Sequence, residues 1–428
     1  MESEHFDRAV DAWRVGQSGE AEACSSKRPL MSVAMSDPGL ADAFDPLAPT
    51  NEVPHDQLGR LRRACPISMT PSGAWYLARH GDVVTASREV ERIESAFLAP
   101  DGADIDTQFL PFISEPEHGR VRRVINAAIA AHRLSRIEAP LRTLCERLLD
   151  QVVETGHGDL GETYIAPIPA AGIGYLLGLP EDQQPRFIEW AHGLFGGSVL
   201  GDAESARQSR RAMKEISAYF DHEIASRLAS DDPPDDFITR LVGTEVAGIR
   251  LSPIAARTQL IFLLVAGTET TRNLLANAIL RLASEPELFA RLRAEPKDLV
   301  PFIEESLRVD PPLTFLLRQC KEGVRIGDTD LAEGATVAFG LAAANRDEHV
   351  FDRPNEFDVD RANVRSHLAF GDGPHICPGA ALARLEARIA IEVLINRVNT
   401  IRLDPSFKYE MTPVPFTNGP VSLPVHVT

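Results

Sequence analysis

The sequence lacks cysteine pairs, a long hydrophobic run and an excess of basic residues. Its five cysteines are far apart, at Cys24, Cys65, Cys145, Cys320 and Cys377. This spacing excludes a disulfide framework and a C-x-x-C zinc site, and it favours a reducing compartment. The most apolar run, at 260–267, is far shorter than the roughly 20 residues that span a bilayer. No apolar segment of a signal peptide occurs near the N-terminus, so we expect a cytoplasmic protein without a membrane anchor.

The charge balance limits the partners further. The 428 residues include 44 basic and 62 acidic ones, a net charge of −18, which disfavours binding to nucleic acid and to acidic membrane surfaces. Residues 1–42 are polar and weakly periodic. We therefore expect a loosely ordered N-terminal extension there and a single folded domain over 43–428. Met1, Met31 and Met35 are alternative translation starts that the sequence does not distinguish.

Helical patterns dominate the middle of the chain, from 118 to about 310. Near the N-terminus the sequence predicts a hairpin with Ser72 and Gly73 at its turn. Short strand-like runs follow at 313–318, 324–326, 335–339 and 413–427. Since strands and helices do not alternate as they do in βαβ folds, the sequence predicts a mainly α protein with small β-sheets (α+β).

One predicted helix is unusually long, about 30 residues or near 45 Å. Ser252 is a good N-cap, Pro253 is a good first residue, and nothing ends the helix before Ser284. Its apolar centre carries the polar segment 266–271, "AGTETT". Mid-helix threonines can bond back to the carbonyl of residue i−4, and a buried glutamate needs a partner. By themselves these residues fit a satisfied kink and a local opening toward a ligand equally well.

Two further pairs have the spacing of residues on one helix face. Glu305 and Arg308 are three residues apart, and His118 and Arg122 are four apart. The helix of the first pair should end at Pro311 and Pro312. Taken alone, both pairs fit exposed helix faces, where they would contribute little to the free energy of unfolding.

The stretch "FGDGPHICPG" at 370–379 sets Cys377 in a constrained loop before a clearly helical segment. Gly371 and Gly373 permit backbone conformations closed to other residues. A cysteine at a helix N-terminus has its thiolate favoured by free N–H groups. A lone cysteine is usually a small buried hydrophobe, but this pattern suits a metal-bound thiolate. Only His375 is near, whereas zinc needs three or four protein ligands. Haem needs one.

The loop Phe370-Gly371-x-Gly373-x-His375-x-Cys377-x-Gly379 resembles the haem-binding loop of the cytochrome P450 family. The segment 266–271 resembles the oxygen-activating helix of that family. Glu305-x-x-Arg308 resembles its buried ion pair, which Arg361 would join. The pieces follow the family's order, and the resemblance covers about 45–428. It implies a P450-like fold of the soluble bacterial type, with one long central helix over the haem.

The resemblance also implies roles by position. The cofactor would be haem b, with O2 as co-substrate. The residues implied to contact the haem are Cys377 at the iron, His118, Arg122, Arg318 and His375 at the propionates, and Phe370, Gly371, Gly373, Gly379 and Ala266 around the ring. Glu269 and Thr270 would deliver protons to bound dioxygen. Glu305, Arg308 and Arg361 would be structural.

The implied enzyme is a haem-thiolate monooxygenase that inserts one oxygen atom from O2 into a hydrophobic small molecule. Electrons would come from a separate ferredoxin-type partner, because 428 residues leave no room for a fused reductase. The protein would be a monomer. Arg120, Arg123, Arg384 and Arg388 would lie on the cysteine side of the haem, as a basic docking face or as scattered solvated arginines.

The candidate pocket walls are mostly apolar, which favours a terpenoid, steroid or fatty-acid-like substrate. They are Phe109, Leu110, Phe112, Ile113, Phe262, Ala266, Thr314, Phe315, Phe416 and Thr417. Two alternatives stay open, a peroxide-driven haem peroxygenase and a non-catalytic haem-based binder or sensor. Neither has a need for the Glu269–Thr270 pair.

Overall fold

The structure is a computed structural model that describes residues 44–48, 50–96, 103–129, 134–199, 203–412 and 416–428. The expected N-terminal extension over 1–42 lies outside these residues, as do residues 413–415 of the last strand-like run.

The described chain is mainly helical, with small sheets, which confirms the predicted fold class. The helices are α1 His55–Ala64, α2 His80–Arg88, α3 Glu117–Ala128, α4 Leu134–Thr155, α5 Pro167–Leu177, α6 Gln184–Val199, α7 Ala203–Ala229, α8 Phe237–Gly243, α9 Pro253–Ser284, α10 Pro286–Ala294, α11 Leu299–Val309, α12 Leu341–Ala344 and α13 Ala380–Arg397.

The strands are short. Most lie towards the two ends of the sequence, but three, at 157–159, 245–246 and 249–250, lie in the middle region for which the sequence predicts only helices. The strands of the described chain are β1 Ile67–Met69, β2 Trp75–Leu77, β3 Ile93–Ser95, β4 His157–Asp159, β5 Glu245–Val246, β6 Ile249–Arg250, β7 Leu316–Cys320, β8 Val324–Ile326, β9 Thr329–Leu331, β10 Thr336–Phe339, β11 Ile401–Leu403 and β12 Pro424–Val427. The largest sheet has the order β1-β2-β10-β7-β3, and a second has the order β11-β12-β4.

The predicted hairpin is formed by β1 and β2, which pair antiparallel with Ser68 opposite Tyr76. Its turn includes Gly73 at a φ of 83°, in the left-handed region that glycine adopts without a side-chain clash. The next strand in the sheet, β10, pairs parallel to β2 and antiparallel to β7. Arg318 lies in β7, opposite Val337.

The long helix α9 begins and ends where the sequence predicts. The side chain of Ser252 accepts a hydrogen bond from the Ala255 amide at 3.0 Å, and Pro253 is the first helical residue. The helix packs against α5, α7 and α13, which places its middle in the main hydrophobic core. Among the described helices none is both long enough and apolar enough to cross a membrane.

Candidate functional site

The loop before α13 folds back on itself around Cys377. The Cys377 amide donates to the carbonyl of Phe370 at 2.8 Å, and the Gly371 amide donates to that of Leu368 at 2.8 Å. Gly371 and Gly373 have φ values of 74° and 68°. A Cβ on Gly373 would also meet the Ser87 carbonyl oxygen at 2.7 Å, so both conformation and space require glycine there.

The surroundings of the Cys377 thiol act on its pKa in two opposite directions. Cys377 keeps accessible surface, but the protein atoms around it raise the pKa of its thiol. Backbone N–H groups of Gly379 and Ala380 and the charges of Arg122 and Arg384 act in the opposite direction. The geometry is therefore that of a thiol supported as a ligand from the start of α13.

Four cationic or basic side chains converge beside this loop. The rings of His118 and His375 stack with centroids 3.9 Å apart. Burial, and then the nearby His118, Arg318 and Arg122, lower the pKa of His375 to about 3. The guanidinium of Arg122 donates to the Ile376 carbonyl. The structure thus brings together the four residues that the resemblance assigns to the propionates.

This cluster is short of negative charge. Glu115 accepts from Nδ1 of His118 at 2.8 Å, but no carboxylate in the described chain pairs with Arg318, whose pKa burial lowers to about 10. A half-buried guanidinium without an anion is costly. A bound group that carries carboxylates would offset that cost, so the cluster fits the two propionates of a haem held at Cys377.

The face of α9 toward the candidate pocket carries Phe262, Ala266 and Thr270, which succeed one another at one-turn intervals and are all half-buried. The helix is uninterrupted through 266–271, so the local opening is not observed. Instead, the hydroxyl of Thr270 donates to the Ala266 carbonyl at 2.7 Å, and that of Thr268 to Leu264 at 2.7 Å. Thr268 is buried and lies on another face.

Glu269 points toward the next turn of α9 rather than toward Thr270. One carboxylate oxygen lies 3.8 Å from Nη1 of Arg272, and Nη2 of Arg272 donates to the Val421 carbonyl at 2.6 Å. No hydrogen bond joins the side chains of Glu269 and Thr270 in the described chain. The proposed acid and alcohol are neighbours that do not contact each other in this structure.

The candidate pocket residues divide into two groups. The ring of Phe109 lies 5.4 Å from that of Phe262 and 6.1 Å from that of Phe112, which forms an aromatic wall beside α9. Leu110 and Ile113 are only 3% and 4% exposed, so they support this wall and offer a ligand almost no surface.

The other predicted pocket segments also meet in space. The Thr314 amide donates to the Phe416 carbonyl at 2.8 Å, next to a bridge between Leu313 and Thr417. Phe315 is buried in a separate core between α1 and the large sheet, which leaves it little surface for a ligand.

Gln259 is a residue of this site that sequence reasoning missed. It is 1% exposed, its Oε1 accepts from the Leu110 amide at 3.0 Å, and its Nε2 donates to the Gln108 carbonyl at 2.8 Å. Thr258 adds a bond from its hydroxyl to the Asp106 carbonyl at 2.8 Å. These bonds fix the aromatic wall to α9. The only sign of this role in the sequence was a polar residue, Gln259, within the apolar part of α9.

Replacing Gln259 by Leu is expected to loosen the aromatic wall. The Leu110 amide would lose its buried acceptor, at a cost of about 1–3 kcal/mol in the free energy of unfolding. Hydrogen exchange at Leu110 should become faster, while exchange in α13 stays unchanged. A matched control is Gln319→Leu, whose amide makes one exposed hydrogen bond. Unchanged exchange at Leu110 would show that Gln259 does not hold the wall.

Glu305 is fully buried and accepts bonds from two arginines. Nε and Nη2 of Arg308 donate to its two oxygens at 2.7 and 2.8 Å, and Nε of Arg361 donates to the same carboxylate at 3.1 Å. Arg308 also donates to the carbonyls of Asn345 and Pro354 at 2.9 and 2.7 Å. The pair is thus a buried junction between α11 and the segment 345–361, and not the exposed pair that its spacing alone would suggest.

The four arginines expected to form a docking face differ in their partners. Arg120 pairs with Glu117 at 2.6 Å, and Arg388 pairs with Glu138 at 2.9 Å. Arg384 pairs with the buried Glu304 at 2.6 Å. Arg123 is exposed, and no ion pair to it is found among the described residues. The positive charge available for docking is therefore smaller than the sequence indicates.

Glu386 in α13 is a second buried acid that the sequence did not reveal. It is 1% exposed, and burial raises the pKa of its carboxyl well above the usual value, although Thr271 acts in the opposite direction. A Cβ on Gly172 would lie 1.9 Å from its Oε1, so Gly172 permits the close packing of α5 on α13.

Comparison with known proteins finds relatives that span most of this chain. The family model for cytochrome P450 matches residues 202–404. Linalool 8-monooxygenase from Pseudomonas putida is 31% identical over 85% of this chain and 93% of that protein. A steroid C26-monooxygenase from Mycobacterium tuberculosis is 33% identical over 86% of this chain and 98% of that protein. The structure of CYP109Q5 from Chondromyces apiculatus superposes with a TM-score of 0.81 at 29% identity, covering 91% of this chain and 99% of that one.

Proposed function

The chain belongs to the cytochrome P450 family and is a monooxygenase of the bacterial type, and from this premise we propose that its substrate is a hydrophobic small molecule of terpenoid, steroid or fatty-acid type. The observation that carries the proposal is the aromatic wall of Phe109, Phe112 and Phe262 beside the α9 face. Relatives named for linalool and for steroid oxidation support it.

Titration of the purified enzyme with terpenoid, steroid and fatty-acid panels tests the substrate class. A true substrate should give the spin-state shift in the haem spectrum and saturate. Responses only to charged or strongly polar compounds would contradict the proposal, because the aromatic wall offers them no partner.

The cofactor in this proposal is haem b, bound without covalent attachment, since the sequence contains no C-x-x-C-H attachment motif. Cys377 would supply the iron ligand, and His118, His375, Arg122 and Arg318 would hold the propionates. Thiolate-ligated haem supplies the electron density that favours cleavage of the O–O bond.

The chain's own contribution is to position the substrate and to supply protons. Phe262 and Ala266 shape the α9 side of the pocket, and Thr270 presents a hydroxyl one turn further along the same face. In the mechanism we propose, Thr270 exchanges its bond to the Ala266 carbonyl for one to a water in the pocket. Glu269 leaves Arg272, accepts a proton from solvent water and passes it to the water held by Thr270, which replaces the proton that this water has delivered.

Thr270→Ala is expected to keep the fold and the haem but to divert electrons to hydrogen peroxide. Because the hydroxyl that positions the proton is gone, product formed per NADH consumed should fall about tenfold or more. The matched control is Thr268→Ala, which removes an equivalent bond on another face. Uncoupling in Thr268→Ala but not in Thr270→Ala would show that the wrong face of α9 is assigned to the pocket.

We further propose a separate ferredoxin-type electron donor that docks near Arg123. Arg123→Glu should slow reduction by a ferredoxin roughly tenfold at low salt, because opposite charges steer the encounter. Reduction by dithionite should not change. Arg388→Gln is the control, since acids already offset its charge. An unchanged ferredoxin rate in Arg123→Glu would remove this docking site.

The two rival functions differ from this one in what they consume. A peroxygenase would form product with hydrogen peroxide alone, and a binder or sensor would form none. We propose NADH- and O2-dependent turnover with a surrogate ferredoxin and reductase, by a cytoplasmic monomer. Gel filtration tests the last point.

A further inference from the structure

Helix α11 carries two consecutive buried glutamates. Glu304 and Glu305 are 1% and 0% exposed, and neighbouring residues of a helix point about 100° apart. Glu305 binds the segment 345–361 through its arginines. Glu304 points to a different set of partners, His367 and Arg384, which precede and follow the Cys377 loop in the sequence.

The contacts of Glu304 form a closed cluster. Nε and Nη2 of Arg384 donate to its two oxygens at 2.6 and 2.9 Å, a bidentate arrangement. Nε2 of His367 lies 3.1 Å from Oε2. Since Nδ1 of His367 accepts from the Ala369 amide at 3.2 Å, the ring proton is on Nε2 and is donated to Glu304.

The cluster reaches the Cys377 loop through Phe370. The guanidinium of Arg384 lies 4.5 Å from the centre of the Phe370 ring, and the His367 ring lies 5.9 Å from it. The carbonyl of Phe370 accepts the Cys377 amide at 2.8 Å. Both flanks of the loop are therefore attached to one carboxylate that is 63 and 80 residues away in sequence.

Charge and burial agree with a carboxylate that stays ionised. Burial acts to raise the pKa of Glu304, but the hydrogen bonds from His367 and Arg384 outweigh it and bring the pKa to about 2. Arg384 is 37% exposed, yet its charge is offset by Glu304 and its plane is held on Phe370. It is poorly suited to bind a partner protein.

We propose that Glu304 is a positioning residue, which holds the Cys377 loop through His367 and Arg384. We call the contacts of Glu304 with His367 and Arg384 the clamp. The clamp holds residues 367–377 whether or not haem is bound. Only its expected effect on the haem spectrum rests on the proposed function, in which Cys377 is the haem ligand.

The test uses Glu304→Gln, Arg384→Ala and the two combined. Glu304→Gln keeps the shape but loses the charge. In each single variant, hydrogen exchange at the Ala369 and Cys377 amides should be about tenfold faster than in the parent. On mild heating, the thiolate signature of the reduced carbon monoxide complex should also be lost about tenfold faster. Both factors are those expected for the loss of one charge-assisted hydrogen bond. The double variant should be no worse than the worse single one, because both act through one contact.

Two controls separate the clamp from other roles. Arg384→Lys keeps one donor and should lie between the parent and Arg384→Ala. Arg388→Ala, one turn further along α13, should behave as the parent. If Arg384→Ala slows only the salt-dependent reduction by ferredoxin, with exchange and thermal loss unchanged, then Arg384 is a docking residue and the proposal is wrong.

Failure of the proposed function would look different. If Cys377 were not the haem ligand, the clamp variants would still accelerate exchange at Ala369 without any change in the carbon monoxide spectrum. Unchanged exchange in Glu304→Gln overturns the clamp, whatever the spectrum shows.

Discussion

Cys377→Ala is expected to abolish the thiolate band of the reduced carbon monoxide complex completely. The alanine leaves no sulfur at the start of α13, where the amides of Gly379 and Ala380 support the thiolate. Reduction with dithionite under carbon monoxide, with the spectrum recorded, is the measurement. Haem content by extraction shows whether the pocket still forms.

The other cysteines provide the controls. Cys65 is half-buried, and Cys145 and Cys320 are buried, so replacing them tests packing and not ligation. Alanine at each of these positions, and at Cys24 outside the described residues, should leave the band in place. Retention of the band in Cys377→Ala would contradict the assignment of the iron ligand.

Glu305→Gln is expected to be the most destabilising single change among the buried charged residues considered. It leaves Arg308 and Arg361 buried beside an amide that cannot balance two positive charges, and breaking a buried ion pair in this way costs about 3–5 kcal/mol. The segment 345–361 should lose its attachment to α11. Urea unfolding gives the free energy, and the ratio of haem to protein reports the assembled site.

A matched control is Glu356→Gln, since the carboxylate of Glu356 pairs with Arg353 at the surface. Exposed pairs contribute at most about 1 kcal/mol, so this variant should resemble the parent. Equal stability of Glu305→Gln and Glu356→Gln would mean that the buried junction does not hold the fold.

Local chemistry made several parts of this protein predictable. Ser252 and Pro253 start α9, the hairpin turns at Gly73, and a helix, α13, follows the Cys377 loop. Each depends on residues within one or two turns, where capping, proline geometry and glycine freedom act directly. The loop at 370–379 was equally readable, because its glycines and its cysteine are contiguous. The short strands β3, β4, β5, β6, β9 and β11 were missed, since two or three residues carry too little periodicity.

The tertiary structure alone decided which charges are buried and with whom. By spacing, Glu305 and Arg308 resemble any surface pair, and Arg384 resembles a free docking charge. In the fold the first two lie in the core with Arg361, and Arg384 is taken by Glu304. Gln259 reaches the backbone of Gln108 and Leu110 across about 150 residues. The sequence by itself determined the mainly helical fold class, the long helix α9, the thiolate loop and the family. The environment of each charge required the fold, because burial and the nearest opposite charge are set by segments distant in the chain.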